Sequence, residues 1–210
     1  MKRYHHPDLR AELMEAALEE LTEKGPRRFS LRQVAARAGV SHTAPYRHFP
    51  HKDALLAALV RDGLASLTSS LREANQIPAD TARERLGRLG RAYVNFGRRN
   101  PKLLTLIFSD LGFGALGAVP PNLKNKSEYD AFGELESTVK ACQNEGSLNP
   151  KLDSGLLSLL VWSTVHGLAI LFIENVILSM TADRGLPPDA AESEILRALG
   201  EFFYPMDRGT

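Results

Sequence analysis

Residues 30–52 hold two short helical patterns hinged on one glycine, and no other stretch restricts the fold as tightly. Ser30 can cap the first pattern while Gln33, three residues on, reaches back to the Ser30 amide in a capping box. Leu31, Val34, Ala35 and Ala38 follow at i, i+3, i+4 and i+7 and define one apolar stripe. Gly39 suits the left-handed residue that closes such a helix, with Val40 tucked behind the turn. Ser41 can cap a second, brief helix whose inner side carries Tyr46 and Phe49, leaving His42, Thr43, Ala44 and Arg47 to face a partner. Pro45 falls at the end of that helix's first turn, where a missing amide costs little. Two helices around such a turn form a helix-turn-helix.

Charge points the same way. Between Gly25 and Lys52 the chain carries Arg27, Arg28, Arg32, Arg37, Arg47 and Lys52 and no Asp or Glu. The net charge of the whole chain is only +1, so the basic excess is local. An electropositive face attracts phosphates, and the short side chains of Thr43 and Ala44 allow close approach to base edges in a major groove. Double-stranded DNA is therefore the expected partner. Arg28, Tyr46, His48 and Lys52 are assigned to phosphates and His42, Thr43 and Arg47 to bases, with Ser30, Gln33 and Ser41 completing the DNA-contacting set.

The run Gly39-Val-Ser-His-Thr-Ala-Pro-Tyr-Arg-His-Phe-Pro-His-Lys-Asp-Ala-Leu-Leu56 resembles the signature of the tetracycline-repressor (TetR) family of bacterial transcription regulators. The resemblance extends upstream through Ala16-Ala17-Leu18 to Gly25 and Phe29, and it departs at Pro45, where many members have Leu or Ile. Further on, Val161 to Ala169 is similar to a Trp-His-Gly motif of one subgroup's C-terminal domain, carried here by Trp162, His166 and Gly167. Membership would imply a homodimer on a palindromic operator, and a small-molecule effector bound among the helices of the C-terminal domain that releases the DNA.

The remainder reads as helix throughout, giving an all-α fold. Asp8 can cap a first helix with Leu9, Leu13, Ala17 and Leu21 on one face and Gly25 at its end. A long helix from Lys52 towards Pro78 carries Leu55, Leu56, Leu59, Leu67 and Leu71 and is expected to join two domains. These are a three-helix DNA-binding domain over residues 1–53 and a helical ligand-binding and dimerisation domain over 54–210. An arginine-rich helix follows, with Leu86, Leu89, Tyr93 and Phe96 inward, and Asn100-Pro101 breaks it. A short helix over 103–108 comes next, then a Gly- and Pro-rich loop over 110–127 that would cover a pocket or merely connect. Helices are expected over 128–145, 154–178 and 189–203.

The 154–178 segment has the composition of a membrane span, with no charged side chain from Ser154 through Ile173. Ser158, Ser163, Thr164 and His166 interrupt it and no basic flank orients it, so burial within protein is expected instead, partly against a second subunit. Ser163, Gly167, Leu171 and Leu199 are the candidate dimer contacts.

Chemistry of the catalytic kind finds little support. There is no nucleophile elbow, no phosphate-cradling glycine loop and no metal-binding histidine pair on a helix, so neither metal nor cofactor is expected. Tyr93, Phe96, Phe108, Phe113, Trp162 and His166 form the candidate ligand set, suited to an apolar or aromatic molecule. Cys142 is the only cysteine, which excludes a disulfide within the chain and fits a reducing cytoplasm. The polar run Met1 to Pro7 reads as neither signal peptide nor lipid anchor. The expected function is a repressor relieved by its ligand; activation, control by a partner protein and an enzyme using His166 are the alternative readings.

Overall fold

The computed structural model describes residues 8–25, 28–110, 112, 130–182, 185 and 187–202. The described helices are α1 (Leu9–Lys24), α2 (Leu31–Arg37), α3 (Lys52–Gln76), α4 (Ala82–Arg99), α5 (Pro101–Ile107), α6 (Ala131–Asn144), α7 (Ser154–Ile173), α8 (Val176–Ala182) and α9 (Pro188–Phe202). There is no strand among the described residues. The chain divides into two compact units, one of residues 1–64 with 102–126, the other of residues 65–101 with 127–210.

In the first unit the expected caps form. Asp8 accepts the Ala11 amide at 3.1 Å, and Gly25 closes α1 at φ 72°. α2 ends in a Schellman turn: Val40 N–H bonds Ala35 O at 3.0 Å, Gly39 N–H bonds Ala36 O at 3.2 Å, and Gly39 sits at φ 68°. Leu13, Ala17, Val34, Leu55 and Val60 are fully enclosed in one core with Phe29, Phe49 and Ile107. Each large aliphatic side chain so buried contributes about 1.5–3 kcal/mol. α5 packs closely on α3 at Gly63, where a Cβ would come within 2.8 Å of Leu103 Cδ1.

Two local expectations are corrected here. Ser41 caps no α-helix; its hydroxyl lies 3.2 Å from the Thr43 hydroxyl, and the second element of the motif is a single 3-10 turn, Pro45–Arg47. Pro45, fully buried, opens that turn because its fixed φ suits a first helical position, and His48 N–H closes it onto Pro45 O at 3.0 Å. At Ser30 the capping box is altered. The Ser30 hydroxyl accepts the Gln33 amide at 3.4 Å but donates to Gln33 Oε1 at 2.7 Å, so the Gln33 side chain is satisfied by the hydroxyl rather than by the Ser30 amide.

In the second unit, Thr81, Asp130 and Asp153 cap α4, α6 and α7 through the amides of Glu84, Gly133 and Leu156. Arg72 on α3 meets Glu134 on α6 at 2.9 Å, and Asn75 joins the same carboxylate at 3.2 Å. Ala82, Val139, Cys142, Leu148 and Leu157 form a buried cluster between α4, α6 and α7. The helix expected over 154–178 is two helices, because the chain turns at Glu174 and Asn175. Asn175 takes φ 58°, a conformation that its short polar side chain tolerates, and that ends α7 before α8 begins. The helix expected from residue 128 is described from Ala131, and the expected loop over 110–127 lies outside the described residues except at Asp110 and Gly112.

Candidate functional site

The DNA-reading candidates sit on a scaffold that faces inward where they face outward. Pro45 and Phe49 are buried, while His42, Thr43, Arg47, His48 and Lys52 between and beside them are exposed and Tyr46 is half exposed. The Tyr46 ring, expected on the inner side, is thus on the outer one, because a 3-10 turn rotates its residues relative to an α-helix. Arg28 and Ser41 are also exposed, whereas Ser30 and Gln33 are half-buried and bonded to each other. Arg10 fixes Phe49 from behind: its guanidinium lies 5.8 Å from the ring centroid and 3.1 Å from Asp62.

Not every basic residue of the segment is available for phosphate. Arg37 is committed to α1, bonding Glu20 at 2.8 Å, Glu19 at 3.0 Å and Glu23. The Arg37 and Lys24 side chains hold the buried Glu20 carboxyl below the usual carboxylate range, against the desolvation that would raise it. Arg27 lies outside the described residues. Sequence reasoning missed a second role, at His51, whose Nδ1 accepts the Ala54 amide at 3.2 Å and so caps α3. Its place just before Lys52 and Asp53 was the available signal, but histidine is not among the usual capping residues.

The C-terminal candidates converge in part. Trp162 and His166, one turn apart on α7, both reach Tyr93 on α4: Trp162 Nε1–H donates to Tyr93 Oη at 3.2 Å, and Tyr93 Oη lies 2.8 Å from His166 Nδ1. An indole N–H can only donate, so the Tyr93 oxygen accepts from it, and the same oxygen makes the second bond with His166 Nδ1. Burial acts in the same sense on both groups, pushing the Tyr93 hydroxyl up and the His166 imidazole down, so that both are neutral near pH 7. Phe96 is buried one turn along α4 from Tyr93, Phe108 packs in the core of the other unit, and Phe113 lies outside the described residues.

Along α7 a different face is left open. Leu156, Leu159, Leu160 and Leu171 are exposed together with Ser163, Thr164 and Gly167, and the Ser163 and Thr164 hydroxyls turn back onto the carbonyls of Leu159 and Leu160. The face is therefore apolar with small gaps. A Cβ built on Gly167 meets nothing within 4 Å. Leu199 lies on α9, but its side chain is outside the described set. No group of His, Cys, Asp and Glu among the described residues could hold a metal ion.

The exposed turn of the first unit is polar and basic, and the second unit is helical with a polar aromatic cluster. Residues 13–59 match the tetR family of bacterial regulatory proteins, and residues 86–198 match the tetracyclin repressor-like C-terminal domain. The chain belongs to the TetR family. It is 36% identical over 84 residues to the HTH-type transcriptional repressor Rv3405c of Mycobacterium tuberculosis, covering 40% of this chain and 44% of that one, so the match spans less than half of the relative. It is 27% identical over 146 residues to the nucleoid occlusion factor SlmA of Marinobacter nauticus, 70% of this chain and 72% of that one. A solved structure of a protein of unknown function from Rhodococcus sp. RHA1 superposes with a TM-score of 0.70 at 29% identity over 97% of both chains. The fatty acid degradation regulator FadR of Bacillus halodurans shares the fold, with a TM-score of 0.70 at 16% identity over 96% of this chain and 97% of that one.

Proposed function

We propose that this protein is a cytoplasmic, homodimeric repressor that binds a palindromic operator and is released by a small apolar or aromatic molecule. The observation that carries the reading is the outward set His42, Thr43, Tyr46, Arg47, His48 and Lys52 mounted on buried Pro45 and Phe49. A surface of that kind holds polar side chains at defined positions without using them for folding, which is what base and phosphate contacts require. The exposed apolar face of α7 supports the dimer, and a twofold dimer presents two reading turns to two half-sites. Tyr93, Trp162 and His166 are the proposed ligand contacts, with the DNA-reading function in residues 1–53 and sensing and dimerisation in 54–210.

Binding of the purified protein to fragments from its own genome, read by fluorescence anisotropy over a salt series, tests the DNA reading. The expected result is a selected sequence with twofold symmetry and an affinity that falls steeply with salt. A flat salt response, or no preference among fragments, overturns it. Adding compounds that raise the thermal midpoint then tests release: the ligand must bind the DNA-incompetent form more tightly, so hits that leave operator affinity unchanged defeat the sensor reading.

A further inference from the structure

Two of the three glycines inside α4, Gly87 and Gly90, stand in its first half, and each costs a helix about 1 kcal/mol relative to alanine. Interior glycines ordinarily let another element come close. Neither does so here by necessity. A Cβ at Gly90 would lie at ordinary contact distance, 3.5 Å from Leu196 Cδ2, and a Cβ at Gly87 would meet only the tip of Arg91 at 3.9 Å. At Gly90 the neighbours Leu196 and Val165 already close in, whereas Gly87 faces a groove of about 1070 Å³ along α4, lined on its apolar side by Leu86, Leu148, Val161, Val165 and Leu196.

The rim of that groove is charged, and its charges are unequally committed. Of its three acids, Glu84 accepts the Asp80 amide at 3.1 Å, Glu145 accepts the Ala82 amide at 2.6 Å and the Arg85 guanidinium at 3.4 Å, and Asp80 is exposed just ahead of α4. Arg88 gives Nη1 to the carbonyl oxygens of Ile77 and Pro78, both at 3.0 Å, which are neutral acceptors and leave its charge without a carboxylate. Arg91 stands exposed three residues on, on the same side of the helix. A cationic edge therefore runs beside an apolar floor.

We propose that this groove binds an amphipathic carboxylate, with the acid group between Arg88 and Arg91 and the apolar body lying over Gly87 against Val161, Val165 and Leu196. Two guanidiniums three residues apart can share one carboxylate through charge-assisted hydrogen bonds. A neutral ligand would cover the arginine edge without offering it a counter-charge, at a desolvation cost. The site is separate from the Tyr93, Trp162 and His166 cluster, since Trp162 and His166 lie about 100° around α7 from Val161 and Val165, and it stands whether or not that cluster takes a ligand.

Decanoate is the probe, with decanol supplying the tail alone and acetate the head alone, and calorimetry and thermal melting of the full chain are the readouts. Decanoate should bind and raise the melting temperature, and the other two should not. Gly87→Phe fills open space, so it should leave the melting temperature without ligand at or above the wild-type value while abolishing the decanoate response. Arg91→Glu should weaken decanoate binding by roughly tenfold or more, the loss of one charge-assisted bond. Trp162→Ala should leave the response intact. Equal binding of decanol, or decanoate binding that survives Gly87→Phe and Arg91→Glu, overturns the groove. A response lost in Trp162→Ala but kept in Gly87→Phe places the acid at the aromatic cluster, which sinks this proposal while sparing the ligand-responsive reading above.

Discussion

The turn between Ser41 and Lys52 and the helix α7 each leave one side outside the core of their own unit, but the chemistry of the two sides is opposite. The turn exposes imidazoles, hydroxyls and cationic groups; α7 exposes four leucines among a serine, a threonine and a glycine. The turn can meet a hydrated polyanion mostly through polar and charged groups, whereas α7 gains only by meeting another apolar surface. Their supports differ accordingly. The turn rests on a tightly enclosed core and an ion cluster, and α7 is anchored by apolar burial on one side and by the Tyr93 bonds at its edge.

The sharpest way to break this contrast is Gly167→Leu. No described residue lies within 4 Å of a Cβ added there, so the fold should be kept or slightly improved, as leucine favours helix over glycine. In a twofold dimer the clash occurs twice, at about 1–3 kcal/mol each, and sedimentation at micromolar concentration should show monomer in place of dimer. An undisturbed dimer would move the contact off this part of α7.

Next in size is Arg37→Ala. It leaves the buried Glu20 carboxylate with Lys24 alone and should cost about 3 kcal/mol in urea unfolding. The pH dependence carries a sign. The folded-state carboxyl is held below its ordinary value of 4.5, so its stabilisation is complete above that pH and is lost as pH falls below it. The variant should be less stable at pH 7 yet lose less on acidification than wild type. Parallel acid limbs in the two proteins would show that Glu20 is not the group responsible.

Tyr93→Phe should act in the other unit and more gently. It removes two hydrogen bonds at once, with an expected loss of about 1–3 kcal/mol, and the Trp162 indole N–H resonance should shift. An unmoved indole signal would argue against the Trp162–Tyr93 bond. The smallest effects belong to the turn itself. Lys52→Ala should weaken all DNA sequences alike and reduce the salt slope by about one, while Thr43→Ala should change preference at one base step by about 1 kcal/mol, as binding isotherms on operator variants would show. If both substitutions act uniformly, Thr43 does not read a base.

Much of the fold was legible because it depends on neighbours in the chain. The caps at Asp8 and Ser30, the Schellman turn at Gly39 and the α7 stretch all follow from residues within five positions of one another. Trp162 and His166 were visible as a pair because a helix sets residues four apart side by side. Their shared partner Tyr93 was named as a candidate, but the bonds that join the three could not be read from spacing, since they span 69 and 73 positions. Tyr46 was misplaced for a local reason, the choice between α and 3-10 geometry after Pro45, which differs by one hydrogen-bond register.

The sequence by itself determined an all-helical chain with a reading turn near its start and an apolar helix near its end, because periodicity, caps and local charge are properties of short segments. Only the tertiary structure decided how individual groups were used. It committed Arg37 to three glutamates rather than to the basic face, made His51 a cap, set Phe108 in the first unit's core and left Gly87 facing open space. The physical reason is that a charge, a ring or a gap acquires its energy from what lies across from it, and that partner is chosen by packing between segments far apart in the chain.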